Sequence, residues 1–312
     1  MPTARVYRRP RFYGLSSLQE LVSRFPLSRD TKREIDVVSR VFPFRVSSYV
    51  LEQLIDWSSL RDDPIYRMVF PQRTMLSDAD FGAVDDAIHR KSDKDIERLV
   101  SVIRQKANPH PAGQMDFNVP SLKGQRLRGI QHKYPNTVLF FPSKGQQCHS
   151  FCSYCFRWAQ FVGDPKLKFA ENESQQIVDY LRNESQREET AEVCDILITG
   201  GDPLFMTTKQ IWAYLKPIIH SKFVDRRILN IRFGTKSIAY WPYRFTEEND
   251  SSQLITMLRS LGRKVQVSFM LHNSHPRELE TTAARRAIGR LHDAGVTLRS
   301  QSPILRGIND DS

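Results

Sequence analysis

Apolar residues follow two rhythms along this chain. Up to about residue 130 they recur every three or four positions in short stretches. Leu18, Leu21, Val22 and Phe25 come after Ser16 and Ser17, and Val50, Leu51, Leu54 and Ile55 come after Ser47 and Ser48. A third stretch runs from Asp95 through Ile96, Leu99, Val100 and Ile103, and Pro109 and Pro111 stop it. Such spacing puts one apolar stripe on each of several short helices. The remaining faces carry mixed charge, as solvated outer faces do. Residues 1–130 are therefore expected to form a helical front region.

From about residue 137 the rhythm changes to strand alternating with helix. Residues 138–141 are apolar throughout, as a strand buried on both faces requires, and comparable runs stand at 195–199, 228–233, 265–271 and 296–304. Helical patterns lie between them: Ile177, Val178 and Leu181; Ile211, Leu215 and Ile218 after Thr207 and Thr208; Leu254, Ile255 and Leu258 after Ser251. The last pattern, with Leu279, Ala283, Ala287, Ile288 and Leu291, is closed by Gly295 as a C-cap. After the second strand the repeat is roughly thirty to forty residues, the length of a strand, a crossover helix and a return. Right-handed crossovers of that kind build a parallel sheet, open or rolled into a barrel. Residues 131–312 are thus expected to form an α/β domain with about five strands. The chain stops at Asp310, Asp311 and Ser312 just past the fifth, where a further helix is expected, as though cut short.

Composition narrows the class. With 312 residues, 40% of them hydrophobic and 26% charged, the chain can bury a substantial core, and collagen-like or wholly disordered readings drop out. No uncharged apolar run approaches the roughly twenty residues that span a bilayer, and no secretory signal opens the chain, so a soluble protein is expected. The net charge of +11 favours anions. It is densest in front, where Arg5, Arg8, Arg9 and Arg11 precede the first acid, Glu20. Pro2, Pro10, Tyr7, Phe12 and Tyr13 make no amphipathic helix, so this stretch reads as a basic tail rather than a targeting peptide.

The chemistry concentrates after the first strand of the parallel sheet, at the end where ligands bind such folds. There the sequence runs Gly145-Gln146-Gln147-Cys148-His149-Ser150-Phe151-Cys152-Ser153-Tyr154-Cys155. Four cysteines in this length are no disulfide scaffold, and three of them share this loop. Three thiolates can converge on one inorganic cluster while leaving a four-iron cube one ligand short, its open iron able to chelate amine and carboxylate. Zinc with His149 or Cys194 as fourth ligand is the alternative, but structural zinc draws on two short ligand hairpins and only one is present. Cys194 itself reads as a small buried hydrophobe. The second strand leads into Thr199-Gly200-Gly201-Asp202-Pro203, whose glycines allow close approach of a ligand and whose Asp202 could hold an ammonium or a ribose. On residues alone it reads equally well as an ordinary strand-to-helix turn.

A cysteine loop with an aromatic before its last Cys, followed one strand later by Gly-Gly-Asp-Pro, resembles the radical S-adenosylmethionine superfamily and, within it, the lysine 2,3-aminomutase family. The matching segments are Asp63-Pro64-Ile65, Asn108-Pro109-His110-Pro111-Ala112-Gly113, Tyr134-Pro135, the cysteine loop, residues 195–204, Ile231-Arg232-Phe233-Gly234, His275-Pro276 and Leu305-Arg306-Gly307-Ile308-Asn309-Asp310. The resemblance covers about residues 40–312 in unchanged order. It implies a partial parallel (β/α)6-type barrel and a [4Fe-4S] cluster held by Cys148, Cys152 and Cys155. Reductive cleavage of S-adenosylmethionine there yields a 5'-deoxyadenosyl radical, which takes hydrogen from the substrate and drives a 1,2-amino shift on an amino acid such as L-lysine. The resemblance further implies Tyr154 against the adenine, Gly200, Gly201, Asp202 and Pro203 around the methionine ammonium, and His272 and Gln301 near the cofactors. Arg157 matches a residue that grips the substrate carboxylate, and Asp310 one that receives its distal ammonium.

The family also uses pyridoxal 5'-phosphate, bound to a lysine beyond the Leu-Arg-Gly-Ile-Asn-Asp stretch. No lysine follows Lys264 here, and Lys133-Tyr134-Pro135-Asn136-Thr137 and Gly234-Thr235-Lys236 stand where such enzymes carry arginines. An electron donor such as flavodoxin or ferredoxin, a reducing compartment such as the cytoplasm and a homo-oligomer are further expectations, without membrane or nucleic-acid partners. Two rivals remain on sequence alone: a radical enzyme that modifies RNA or protein without pyridoxal phosphate, suggested by the charge, and a zinc-stabilised nucleic-acid-binding protein.

Overall fold

Serine and aspartate caps set the starts of the helices in the computed structural model, which describes residues 9–110, 113, 115–164, 168–172, 174–184, 193–221, 228 and 230–310. Arg5, Arg8 and Pro111 lie outside the described residues. The chain divides into two units: a helical one formed by 10–112, 149–168 and 306–312, and an α/β one holding 113–148 and 169–305.

The helical unit contains α1 (Leu18–Arg24), α2 (Arg29–Val41), α3 (Ser48–Gln53), α4 (Pro64–Val69), α5 (Asp78–His89) and α6 (Asp93–Lys106). The side chains of Ser28, Ser47, Asp63, Ser77 and Ser92 each accept a bond from a first-turn amide of α2 to α6 in turn. Val38 and Val41 of α2 pack with Val84 of α5 and Val100 and Ile103 of α6. The three expected helices are α1, α3 and α6. The α2 helix was not anticipated, although Ile35, Val38 and Val41 form its buried stripe. Phe12–Tyr13 pairs antiparallel with Val46–Ser47 just ahead of α3.

In the α/β unit six strands form one sheet: β1 (Ile130–Tyr134), β2 (Thr137–Phe140), β3 (Asp195–Ile198), β4 (Asn230–Thr235), β5 (Gln266–Leu271) and β6 (Thr297–Ser300). Their order in space follows their order in sequence. From β2 onward every pair is parallel, and β1 alone runs antiparallel, to β2. The five expected strands are β2 to β6. The hairpin strand β1 was missed because Gln131, His132 and Lys133 break any apolar alternation and the register shifts between Gln131 and Tyr134. The last strand is shorter than its sequence run: it ends at Ser300, and Gln301, Ser302 and Ile304 beyond it are exposed. Among the described residues β1 and β6 are the sheet edges and do not pair, so the sheet is mixed and mostly parallel, with no closure of a barrel.

The crossovers carry α7 (Gln175–Glu184), α8 (Thr208–Ile219), α9 (Ser251–Leu261) and α10 (Thr282–Asp293). The last expected helix is broken by Thr281, which caps α10 and separates it from the single turn Arg277–Glu280. Gly295 follows α10 at a φ of +78°, the left-handed position for which its sequence marked it. Phe140, Ile196, Ile198, Ile231, Phe233, Val267 and Phe269 form the fully buried centre of the core. No helix among the described residues is long and apolar enough to cross a membrane.

Candidate functional site

Beyond β2 the chain makes the single turn Ser143–Gly145 and enters the cysteine loop through Gln146 and Gln147. This stem lies against the turn after β3. A Cβ on Gly201 would stand 2.5 Å from the Gln147 amide nitrogen and 2.8 Å from the Gly145 carbonyl, and one on Gly200 would collide with the Gln146 side chain. The Asp202 amide donates to the Gln147 carbonyl at 2.6 Å. The close approach that Gly201 permits is therefore that of the cysteine loop's own backbone, and at Gly200 that of the Gln146 side chain.

Asp202 is 3% exposed, and both of its carboxylate oxygens are taken by protein donors. They accept from the Leu204 amide at 3.0 Å, the Thr235 hydroxyl at 2.8 and 2.9 Å, the Lys236 amide at 2.9 Å and the Ser237 hydroxyl at 2.9 Å. Burial raises its pKa, and these donors oppose the rise. The carboxylate thus ties the turn after β3 to the turn after β4, and holding an ammonium would mean sharing oxygens already committed. The next residues are clamped by Arg244, whose guanidinium donates to the Leu204 carbonyl at 2.9 Å, the Met206 carbonyl at 3.0 Å and Asp250 at 2.7 Å.

After β5, the His272 amide donates to the Thr235 carbonyl at 3.1 Å. Burial lowers the His272 pKa, as does the charge of Lys236, while Glu278 opposes them, so a neutral ring is favoured near pH 7. Lys236 is held by Glu278 at 2.7 Å and donates to the His272 carbonyl at 2.6 Å, with its ammonium 4.7 Å from the Tyr240 ring centroid. The Gln301 amide donates to the Leu271 carbonyl at 2.8 Å, and its side chain is exposed. The turns after β2, β3 and β4 and the residues following β5 and β6 are therefore linked by hydrogen bonds at one end of the sheet. Neither the hold of Arg244 on the Leu204 and Met206 carbonyls nor the Lys236–Glu278 pair was found by sequence reasoning, because those partners lie tens of residues away and no local spacing marks them.

From His149 onward the cysteine loop belongs to the helical unit. There the Phe151 amide donates to the Arg45 carbonyl at 2.8 Å, the Ser153 amide to Met68 at 2.7 Å and the Ser153 hydroxyl to Arg67 at 2.8 Å. The Ser47 amide donates to the Ser150 hydroxyl at 3.0 Å. The Arg45 guanidinium lies 5.2 Å from the ring centroids of both Phe12 and Phe151. Between its cysteines the loop closes a turn, with the Cys155 amide donating to the Cys152 carbonyl at 3.1 Å. A cavity of about 260 Å³ lies behind it, lined by Phe42, Phe70, Met75, Phe151, Cys152 and Trp158 among others.

All four cysteines are thiols, each partly exposed. Burial pushes the Cys155 thiol up to about 12, helped by the charge of Cys152 and opposed by the Arg157 amide and guanidinium. Among the described residues no three His, Cys, Asp or Glu side chains are gathered into a metal-holding group. The donor set nevertheless suits iron and sulfide: three soft ligands on one anchored loop. His149 is buried beside the Phe12 ring, with centroids 6.3 Å apart. Cys194, expected to be buried, is half-exposed because it precedes β3 at the sheet's opposite end, its thiol 3.9 Å from the Asn136 carbonyl.

Tyr154 is half-buried, while Arg157 is buried, only 8% exposed. Asp310 is exposed and accepts from the Gly307 amide at 2.6 Å. All three belong to the helical unit. Of the lysines that stand where such enzymes carry arginines, Lys236 is neutralised by Glu278.

A mostly parallel α/β sheet, with the glycine turn after β3 packed on the stem of a cysteine loop, defines the class as a mixed α/β fold. Relatives make the assignment narrower. The chain is 30% identical over 286 residues to a protein of Aquifex aeolicus provisionally named L-lysine 2,3-aminomutase, covering 91% of this chain and 62% of that one. It is 27% identical over 299 residues to the L-lysine 2,3-aminomutase of Clostridium subterminale, covering 95% and 58%, and 25% identical over 279 residues to that of Methanococcus maripaludis, covering 89% and 52%. No family model matches. Over about nine-tenths of its length the chain is thus similar to proteins named lysine 2,3-aminomutase, and it spans between 52% and 62% of the length of these three relatives.

Proposed function

We propose that this chain is the cluster-bearing part of a radical S-adenosylmethionine aminomutase acting on a small amino acid. The observation that carries the reading is the fit of Gly200 and Gly201 against the stem of the cysteine loop, sealed by the bond from the Asp202 amide to Gln147. A sheet wound in one direction, strand after neighbouring strand, supports a partial barrel of the (β/α)6 type.

In this reading Cys148, Cys152 and Cys155 hold a [4Fe-4S] cluster. When bound, it supplies the electron that splits S-adenosylmethionine at its open iron and so starts a 1,2-shift of an amino group. The protein's part is placement. Gly145 to Gln147 fix where the loop leaves the sheet, and the anchors at Arg45, Ser47, Arg67 and Met68 fix its far half. Main-chain groups of Gly200, Gly201 and Pro203 meet the methionine end of the cofactor, with Asp202 holding their turn in shape. Tyr154 takes the adenine, and His272, neutral near pH 7, and Gln301 stand near the cofactors. Arg157 suits a substrate carboxylate through its planar fork, and Asp310 its distal ammonium. Acceptance of L-lysine, use of pyridoxal phosphate and reduction by a flavodoxin or ferredoxin in a reducing compartment follow from the family.

Anaerobic reconstitution with iron and sulfide tests the reading. A brown protein with about four irons per chain and release of 5'-deoxyadenosine on reduction are expected. Ala at any one of Cys148, Cys152 and Cys155 should abolish both. Colourless protein carrying one zinc, or iron binding untouched by all three substitutions, defeats the proposal.

A further inference from the structure

On the helical unit a pocket of about 520 Å³ lies beside α2 and α4 and the stretch 306–308. Its lining includes Glu34, Arg61, Tyr66, Arg67, Arg306 and Ile308, and takes nothing from the cysteine loop or the glycine turn. Two segments matched by the family resemblance meet here. The Arg67 guanidinium, on the helix opened by Asp63-Pro64-Ile65, donates to the Gly307 carbonyl at 3.2 Å. Arg67 is also paired with Asp62 at 3.1 Å, so its charge is answered within the protein.

The charges left over define a ligand. Among the described residues the side chains of Glu34, Arg61 and Arg306 enter no hydrogen bond or ion pair. Tyr66 is nearly buried and feels both Glu34 and Arg61: burial raises its pKa, Glu34 adds to the rise and Arg61 opposes it. Its phenol therefore stays protonated at ordinary pH, a neutral hydrogen-bonding group between opposite charges. Two guanidiniums and one carboxylate complement a molecule with two carboxylates and one ammonium, and the planar fork of arginine matches each carboxylate. The volume lies within the ~300–1,000 Å³ usual for small-molecule sites.

We propose that this pocket is an additional binding site for an amino dicarboxylate such as L-glutamate. It goes beyond the radical chemistry and does not depend on it. Protein carrying Ala at Cys148, Cys152 and Cys155 cannot ligate a cluster there yet keeps every lining residue, so a failure of the catalytic reading leaves this site measurable.

Calorimetric titration of that full-length protein with L-glutamate should show saturable binding at one site per chain. Glutarate, which lacks the ammonium, and L-norvaline, which lacks the second carboxylate, should each bind about tenfold more weakly or worse, a tenfold change being about 1.4 kcal/mol. Arg306→Gln should weaken glutamate by about tenfold, and Glu34→Gln should weaken glutamate while sparing glutarate. Circular dichroism melts check that each variant folds, and Arg61→Gln supplies the same readout if Arg306→Gln does not. The proposal is overturned if L-glutamate gives no saturable heat, if inorganic phosphate binds as tightly, or if the folded variants bind glutamate unchanged.

Discussion

At the scale of single residues, the glycine turn shows how much of the site is enforced by sterics. Gly201→Ala would push a methyl into the Gln147 backbone, which a flexible side chain could evade and a main chain cannot. The expected outcome is a loss of about 1–3 kcal/mol in stability together with reduced iron uptake, read by denaturant melts and metal analysis on the same preparation. Asp250 makes a second prediction, this one about pH. Burial alone would raise its pKa, but the charge of Arg244 and the Thr208 donors outweigh it and the value falls below the ordinary carboxylate range. A depressed folded value means a stabilisation that is whole above the unfolded pKa of about 3.9 and fades as pH falls through the folded one. Asp250→Asn should therefore lower the melting temperature at about pH 6 and matter less and less toward about pH 3. A deficit that stays constant with pH would contradict this. The motif that contains Gly200 and Gly201 was legible in the sequence, because two adjacent glycines after a buried strand are conspicuous. What they accommodate was not, since Gln146 and Gln147 lie more than fifty residues earlier.

Elements were legible in proportion to how one-sided their burial is. Strands β2 to β5 each bury one face completely and announce themselves by apolar residues at successive or alternate positions, and the α/β character followed from their spacing. Phe233 in β4 is wholly buried against Phe269 of β5, with ring centroids 5.6 Å apart. Truncating it to Ala should cost about 3–5 kcal/mol, seen as a shifted urea midpoint with little change in slope. The polar edge strand β1 carries no such signal, and α2 was passed over because its stripe, Ile35, Val38 and Val41, is interrupted by charged neighbours at Lys32, Arg33, Glu34, Asp36 and Arg40. The cap at Ser28 was the clue available.

For the whole molecule, the sequence suggested one boundary near residue 130, and the contacts of the folded chain group it into two units that it passes between at 9/10, 112/113, 148/149, 168/169 and 305/306. A chain beginning at residue 113 keeps the strands and their helices but loses the carbonyls of Arg45, Arg67 and Met68 and the Ser47 amide that fasten residues 150–153. It should expose Phe151 and bind a hydrophobic dye strongly, while keeping the far-ultraviolet signature of the sheet. Dye binding equal to that of the intact chain would show that the far half of the loop does not need those anchors. The interleaving also bears on ancestry. A gene recombined at any one of these crossings would hand its offspring two incomplete bodies, so inheritance favours transmitting both together, and neither is readily traded alone between lineages.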